Sequence, residues 1–319
     1  MEDNKYYIKV AHWYYTLGLT QDEIARRLST TRQRVNRIIG ELTELGIVTT
    51  RVNGFSGSMV ASEALLEEKF GLSRVIIAES YGEEKAMPMI AECAARYLED
   101  TIESKSTVGV SWGSTLAQVI SRMSFINRAN CRVVQMVGAQ NMDLRSLKSD
   151  EIARALANRL DCVCQMLYSP AIVERPETKK LLMQEKAVQN TFDIMSQCDI
   201  ALLGIGQLNS DATMYTRGLL SKSDVDDLRA RGFIGDLCVN PVKADGSWQG
   251  CPMEDRIITA DMETLKKIPN VVAVAGGGDK AEAIAACLRS GVVDTLIIDD
   301  VTAAKIIRAE GLLKDKISK

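Results

Sequence analysis

Arg26, Arg27, Arg32, Arg34 and Arg37 lie in a window of twelve residues that holds no Asp or Glu, with Gln33 and Asn36 interleaved among them. Arg, Gln and Asn are the side chains that make bidentate hydrogen bonds to guanine and adenine edges in a DNA major groove. The chemistry this spacing suits is sequence reading, provided a helix presents these groups on one face. Residues 19–48, LTQDEIARRLSTTRQRVNRIIGELTELGIV, supply such a helix. Val35, Ile38, Ile39 and Leu42 recur at helical spacing and form its buried stripe, and Arg32, Gln33, Asn36 and Arg37 share the opposite face. A shorter helix before it carries Ile24, Ala25 and Leu28 on its apolar side. Thr20 and Glu23 are placed to close a capping box on the first helix, and Thr30 with Gln33 to do so on the second. The pattern predicts a helix-turn-helix that contacts operator DNA through Thr31, Arg32, Gln33, Arg34, Asn36 and Arg37. Its turn carries Ser29 at a place where a left-handed residue costs less as glycine.

A second group of residues could hold a phosphate. Four segments read as strand ends followed by glycine or small polar residues. In GVSWGSTL (109–116), Ser111, Gly113, Ser114 and Thr115 offer hydroxyls and the free amides of a helix start, which suit an anion. VGAQN (137–141) places the Gln140 amide within reach of sugar hydroxyls. In LLGIGQL (202–208) the glycines let the backbone approach a ligand. In VAVAGGGDKAEAI (272–284) Gly276, Gly277 and Gly278 lead into a helix whose first turn carries Lys280, so amides, helix dipole and ammonium converge there. Asp236, within FIGDLCVN, is placed to accept from sugar hydroxyls or to cap a turn. Residues 206–222 read as a polar lid with Arg217 as a further phosphate partner. Neither a G-x-x-x-x-G-K-[ST] loop nor a G-x-G-x-x-G after the first strand is present, which sets ATP and NAD aside.

These groups need a frame. The short apolar runs RVIIAE, TVGVSW, RVVQMV, CVCQMLYS, DIALLGIG, VVAVAGGG and TLIIDD alternate with helical segments such as 84–103, 115–123, 148–160 and 279–290. Such alternation predicts a doubly wound, mostly parallel, Rossmann-like sheet covered by helices on both faces, with ligands at the carboxyl ends of its strands. The α/β body would span 55–319, after a winged-helix-like head over 1–54 that begins with an amphipathic helix at 5–17 and ends in a short arm, IVTTRV. An amphipathic helix at 60–70 would lead into the body.

Charge is uneven. Residues 1–52 carry eight Lys/Arg against six Asp/Glu, and the remainder thirty-one against thirty-six. A weakly acidic body with a basic end suits a protein that meets DNA with its head alone. The N-terminal MEDNKYYIKV lacks the features of a secretory signal, and no apolar run reaches membrane-spanning length. The eight cysteines lack metal spacing. Free thiols in the reducing cytoplasm are therefore expected, Cys162 and Cys164 included, with no metal and no cofactor.

Taken together these segments resemble the SorC family of bacterial sugar-responsive transcription regulators, over nearly the whole chain. The head, GVSWGSTL, DIALLGIG, the Gly-Asp of FIGDL and VAVAGGGDKAEAIAACLRSGVVDTLIIDDVTAAKII carry the resemblance. It implies an effector domain related to sugar-phosphate isomerases, a phosphorylated sugar as effector, and a homo-tetramer built as a pair of dimers on an operator near a catabolic operon. The phosphate loop would fall on Gly276, Gly277, Gly278 and Lys280, and the hydroxyl-binding acid on Asp236. Gly138-Ala139 stands where relatives often have two glycines. Residues 131–141 hold no lysine, so non-covalent binding is expected. The alternative class is a sugar-phosphate isomerase or deaminase with an appended DNA-binding head. Proton transfer between sugar carbons needs a positioned base, and the only histidine, His12, lies in the head.

Overall fold

The computed structural model describes residues 2–48, 59–80, 83–139, 149–209, 213–216 and 219–312. It divides into two compact units, Met1–Ser58 and Met59–Lys319.

In the first unit α1 (Glu2–Ala11) runs on into a π-helical turn over His12–Thr16, which together occupy the place of the helix expected at 5–17. Then follow α2 (Gln21–Arg27) and α3 (Arg32–Glu44). Thr20 closes its capping box with Glu23: the Glu23 N–H donates to Thr20 Oγ1 at 3.3 Å and the Thr20 N–H to Glu23 Oε2 at 2.8 Å. The second cap falls one residue later than expected. Ser29 sits in the left-handed region at φ 49°, and the Thr30 amide is spent on the Ala25 carbonyl at 2.9 Å. The chain becomes extended only at Thr31, whose hydroxyl accepts from the Arg34 N–H at 3.3 Å. Arg34 has no acceptor to return, so no reciprocal box forms. Val10, Ala11, Ile24, Ala25, Val35, Ile38 and Leu42 make the core, with the aromatic residues Tyr6, Tyr7, Trp13 and Tyr14 packed around it. Ile47 and Val48 join them; the rest of the expected arm lies outside the described residues.

The second unit opens with α4 (Met59–Phe70), β1 (Arg74–Ala78), α5 (Glu83–Thr101), β2 (Thr107–Val110), α6 (Ser114–Arg122), β3 (Arg132–Gln135), α7 (Ser149–Leu160) and β4 (Val163–Gln165). It continues through α8 (Pro176–Leu182), α9 (Lys186–Met195), β5 (Ile200–Gln207), α10 (Thr213–Thr216), α11 (Lys222–Ala230), β6 (Phe233–Leu237) and β7 (Asn240–Lys243). It closes with α12 (Met262–Leu265), β8 (Asn270–Val274), α13 (Ala281–Arg289), β9 (Thr295–Asp299) and α14 (Asp300–Ala309). The strands run in the order β1-β9-β8-β5-β2-β3-β4, all parallel. From β2 the chain winds toward β3 and β4, and from β5 toward β8 and β9, so the winding reverses between β2 and β5. Val271, Val272, Ala273, Val274, Leu296, Ile297 and Ile298 are buried in succession, as strands covered on both faces require.

Two features depart from a plain parallel sheet. β6 and β7 form an antiparallel hairpin that pairs with the far end of β5, so FIGDL is strand and not a turn. At the β1 edge of the sheet α4 covers the open donors of that strand. The Val75 N–H donates to Glu67 Oε1 at 2.8 Å and the Ile77 N–H to Glu63 Oε1 at 2.9 Å, which closes an edge that would otherwise pair with other strands. No helix among the described residues is long and apolar enough to cross a membrane.

The left-handed Ser29 yields a prediction. Ser29→Gly removes the Cβ strain of that turn and should stabilise the head by about 0.5–1 kcal/mol. Thermal unfolding of the full chain, followed through the head's tryptophan Trp13, measures it, and a lowered midpoint contradicts it.

Candidate functional site

The reversal between β2 and β5 leaves a crevice outside their carboxyl ends, where open α/β sheets bind ligands. A cavity there is lined by the β2–α6 turn (Ser111, Trp112, Gly113, Ser114, Thr115), the end of β5 (Gly204, Ile205, Gly206, Gln207), Met214, Asp236, Cys238 and Lys280. Ser111 continues β2: its N–H donates to the Leu202 carbonyl at 3.0 Å and its buried hydroxyl accepts from the Gly204 N–H at 3.4 Å. Gly113 then turns the chain at φ 129°, a region that side chains exclude, and α6 begins without a side-chain cap. The amides of its first turn, beside the Ser114 and Thr115 hydroxyls, open at the cavity with the positive end of the helix dipole.

Asp236 comes from the neighbouring hairpin. In the antiparallel register of β5 and β6 it stands opposite Gly206. A Cβ on Gly206 would collide with Asp236 Oδ1, so the glycine in LLGIGQL makes room for the carboxylate. Asp236 is 6% exposed, and its Oδ2 accepts from the Val239 N–H at 3.1 Å. That bond depends on the two-residue hairpin turn, in which Cys238 and Val239 both take positive φ, 55° and 64°, a conformation costly for a β-branched residue. Asn240 Nδ2 braces the turn by donating to the carbonyls of Leu237, Cys238 and Ala260. Burial pushes the Asp236 carboxyl up to about 6, against the Val239 hydrogen bond and the Lys280 ammonium, which both favour the charged form. Burial likewise raises the nearby Cys238 thiol to about 12 and that of Cys287 well above its usual range, so neither is a thiolate nucleophile.

Lys280 ends a 3₁₀ turn, Gly278–Lys280, and precedes α13. Gln207 Nε2 donates to Asp279 Oδ2 at 3.3 Å, which ties this turn to β5. The glycines before it have another task than the one expected from sequence. The Gly277 N–H donates to Asp299 Oδ2 at 3.2 Å, and Asp299 caps α14 through the Thr302 N–H and hydroxyl. A side chain at Gly276 would strike Ile90 and Asp299, and one at Gly278 would strike Lys305. None of the three lines the cavity. The loop brings an ammonium to the site, and packing against Ile90 and Asp299 accounts for Gly276, while Gly277 takes a positive φ of 102°.

The cavity thus gathers Ser111, Gly113, Ser114, Thr115, Asp236 and Lys280 of the residues expected from sequence, and adds Trp112, Gly204, Gly206, Gln207, Met214 and Cys238. Gln140 and Arg217 lie outside the described residues. Gly206 and Gln207, expected at the start of the polar lid, instead extend β5 and pair with Asp236 and Gly235 of β6, and that hairpin was not legible in the sequence. No group of three metal-ligating side chains occurs among the described residues.

In the head, Thr31, Arg32, Gln33, Arg34, Asn36 and Arg37 are all exposed on α3, opposite buried Val35, Ile38 and Leu42. Arg32 lies 3.7 Å from Asp22 and Arg37 Nε 3.5 Å from Glu41 Oε1. Glu41 Oε2 accepts from the Tyr7 hydroxyl at 2.6 Å. Arg27 and Lys9 stack over the Trp13 ring. The helix therefore presents polar side chains over a firm apolar base.

The family model described as "Putative sugar-binding domain" matches residues 56–308, and one described as "Crp-like helix-turn-helix domain" matches residues 7–67. The erythritol catabolism regulatory protein EryD of Brucella abortus (strain 2308) is 25% identical over 309 residues, 96% of this chain and 97% of that protein. The deoxyribonucleoside regulator of Bacillus subtilis (strain 168) is 25% identical over 302 residues, 94% of this chain and 96% of that protein. Among solved structures, the full-length sorbitol operon regulator SorC from Klebsiella pneumoniae matches with a TM-score of 0.74 at 24% identity, covering 98% of this chain and 100% of that one. A DeoR family transcriptional regulator from Listeria monocytogenes matches with a TM-score of 0.73 at 31% identity, covering 78% of this chain and 99% of that one. These relatives are regulators, and the reading as an isomerase or deaminase finds no support among them. With a helix-turn-helix head and a sugar-binding body, the chain belongs to the SorC family of sugar-responsive bacterial transcriptional regulators.

Proposed function

We propose that the effector is a phosphorylated sugar or polyol, bound non-covalently in the cavity between β2, β5 and β6. The observation that carries this reading is the meeting, in one cavity, of a helix start with two hydroxyls, an ammonium and a buried carboxylate. The start of α6 and Lys280 suit a dianionic phosphate, and Asp236 and Ser111 suit hydroxyls. α3 reads the operator through Arg32, Gln33, Asn36 and Arg37, with Thr31 and Arg34 at its start. The chain acts in the cytoplasm as a homo-tetramer, a pair of dimers, and the effector shifts the population of head arrangements by binding one more tightly than the other. Regulation of a carbohydrate catabolic operon follows the relatives, among them the erythritol catabolism regulator.

A thermal-shift panel of sugars, polyols and their phosphates tests the site. A phosphorylated compound at 100 times its dissociation constant should stabilise the protein by about 2.7 kcal/mol, and Lys280→Ala should abolish the shift. Stabilisation by unphosphorylated sugars alone, untouched by Lys280→Ala, contradicts the reading.

Asp236 gives a second prediction. Its carboxyl titrates near 6 when folded and near 4 when unfolded, so the folded state holds the proton more tightly. Its penalty on stability is absent below about pH 4 and complete above about pH 7, where it amounts to about 2–3 kcal/mol. Binding runs the other way, because the ionised form is the stronger acceptor of sugar hydroxyls. Asp236→Asn should therefore be more stable than the parent at pH 7.5, lose that part of the pH slope, and bind effector more weakly. Urea unfolding at pH 5 and 7.5 with effector titrations measures both; parallel slopes in parent and variant contradict the assignment.

A further inference from the structure

Asp236 and the start of α6 stand on opposite sides of the winding reversal, the first on β6 beside β5, the second after β2. A path of hydrogen bonds joins the two halves behind the cavity. Asn240 Nδ2 donates to the Ala260 carbonyl at 2.9 Å and the Ala260 N–H to the Met136 carbonyl at 2.9 Å. The Met136 N–H then donates at 3.0 Å to the carbonyl of Val110, the last residue of β2. The same Asn240 Nδ2 donates within the turn to the Leu237 and Cys238 carbonyls, at 3.1 and 3.2 Å. All three acceptors are carbonyl oxygens, so the amide nitrogen must face them and the side chain has one orientation. The buried Thr259 hydroxyl lies 2.9 Å from both the Cys238 and Met136 carbonyls, with one proton for the two. Asn240 is not among the residues lining the effector cavity; with Pro241 and Thr259 it forms part of the wall of a separate one.

We propose that Asn240 is a positioning residue for effector binding: it clamps the β6–β7 turn to β3, and through β3 to β2, and so keeps the Val239 amide on Asp236 and the carboxylate in place across the cavity from the start of α6. The inference rests on the reading that Asp236 accepts from the effector. The turn needs such a clamp because neither of its two left-handed residues is glycine or asparagine. Released from the clamp, Val239 is free to leave that conformation, and Asp236 then loses the hydrogen bond that fixes its orientation.

The test is isothermal titration calorimetry of the full chain with the terminal phosphates of erythritol, ribose and sorbitol. The tightest binder of the three is carried through the variants. Asp236→Ala should weaken binding by about tenfold, as loss of a charged acceptor does. Asn240→Ala should weaken it nearly as much in the parent and no further in Asp236→Ala, because it acts through that carboxylate. A side chain that only stabilised the fold would not distinguish the two backgrounds. Asn240→Ser keeps one donor and should fall between parent and Asn240→Ala; it carries the comparison where the alanine variant does not fold. The pH profile reads the same bond. Asp236 faces the Lys280 ammonium and the protonated Cys238 and Cys287 thiols, while β5 and the β2–α6 turn bring no titratable group. Loss of the Val239 amide should therefore move the rise of affinity to higher pH in Asn240→Ala, while the probe's own phosphate titrates alike in both proteins. Losses that add in the double variant, or parental affinity and an unmoved profile in Asn240→Ala, overturn the proposal. Binding of none of the three phosphates, or parental affinity in Asp236→Ala, instead overturns the reading of the cavity, and this inference with it.

Discussion

A carboxylate held out of water governs the arrangement of the body. Asp236 is buried over the Cα of Gly206, and burial opposes its charge. Charges in such surroundings persist only with partners. The partners here are the Val239 amide and the Lys280 ammonium, delivered by separate segments of the chain. The Val239 amide reaches the carboxylate because two residues accept a left-handed turn, and the turn holds because Asn240 ties it to three carbonyls. Backbone strain maintained in this way is characteristic of sites where a group must be held ready for a ligand. The same constraint separates stability from function, since the ionised acid that suits a sugar is the form the fold tolerates least.

The parallel sheet turns this local constraint into a binding site. Its winding reverses between β2 and β5, which spreads the following loops apart and leaves room outside the strand ends. β5 runs on past the sheet to pair with β6, and this extension brings Asp236 beside the cavity. Across the cavity the β2–α6 turn offers a helix start and the turn before α13 offers a lysine. Each wall is a strand end or helix end anchored in a core of buried aliphatic residues, so the polar groups are held by rigid elements. The buried Cys238 and Cys287 thiols beside Asp236 remain protonated.

Much of this was legible in the chain. Continuous Val and Ile runs between amphipathic segments identify a two-faced parallel sheet, and Gly113-Ser114-Thr115 identifies a strand-to-helix turn. The helix-turn-helix was legible because its apolar and basic residues alternate at one period. Three features were hidden for physical reasons. The cap of α3 moved from Thr30 to Thr31 because the left-handed Ser29 and the Thr30–Ala25 bond prolong the turn, and single-residue boundaries depend on such tertiary geometry. The glycines at 276–278 read as a phosphate cradle in one dimension, yet the close approach of Ile90 and Asp299 accounts for Gly276, and a positive φ for Gly277, without a ligand. The β6–β7 hairpin lacks a turn signature, because Cys-Val replaces the Asn-Gly expected of a tight hairpin.

The central claim is that occupancy of the Asp236–Lys280 cavity changes the affinity of the head for DNA. The most direct measurement is the dissociation constant of the full-length protein for a selected operator duplex, by fluorescence anisotropy at fixed salt, with and without a saturating sugar phosphate found in the thermal-shift panel. The account predicts a change of about 5- to 150-fold, the usual range of allosteric coupling, mirrored by an equal change in effector affinity when DNA is present. Tight effector binding with an unchanged dissociation constant for DNA would contradict it.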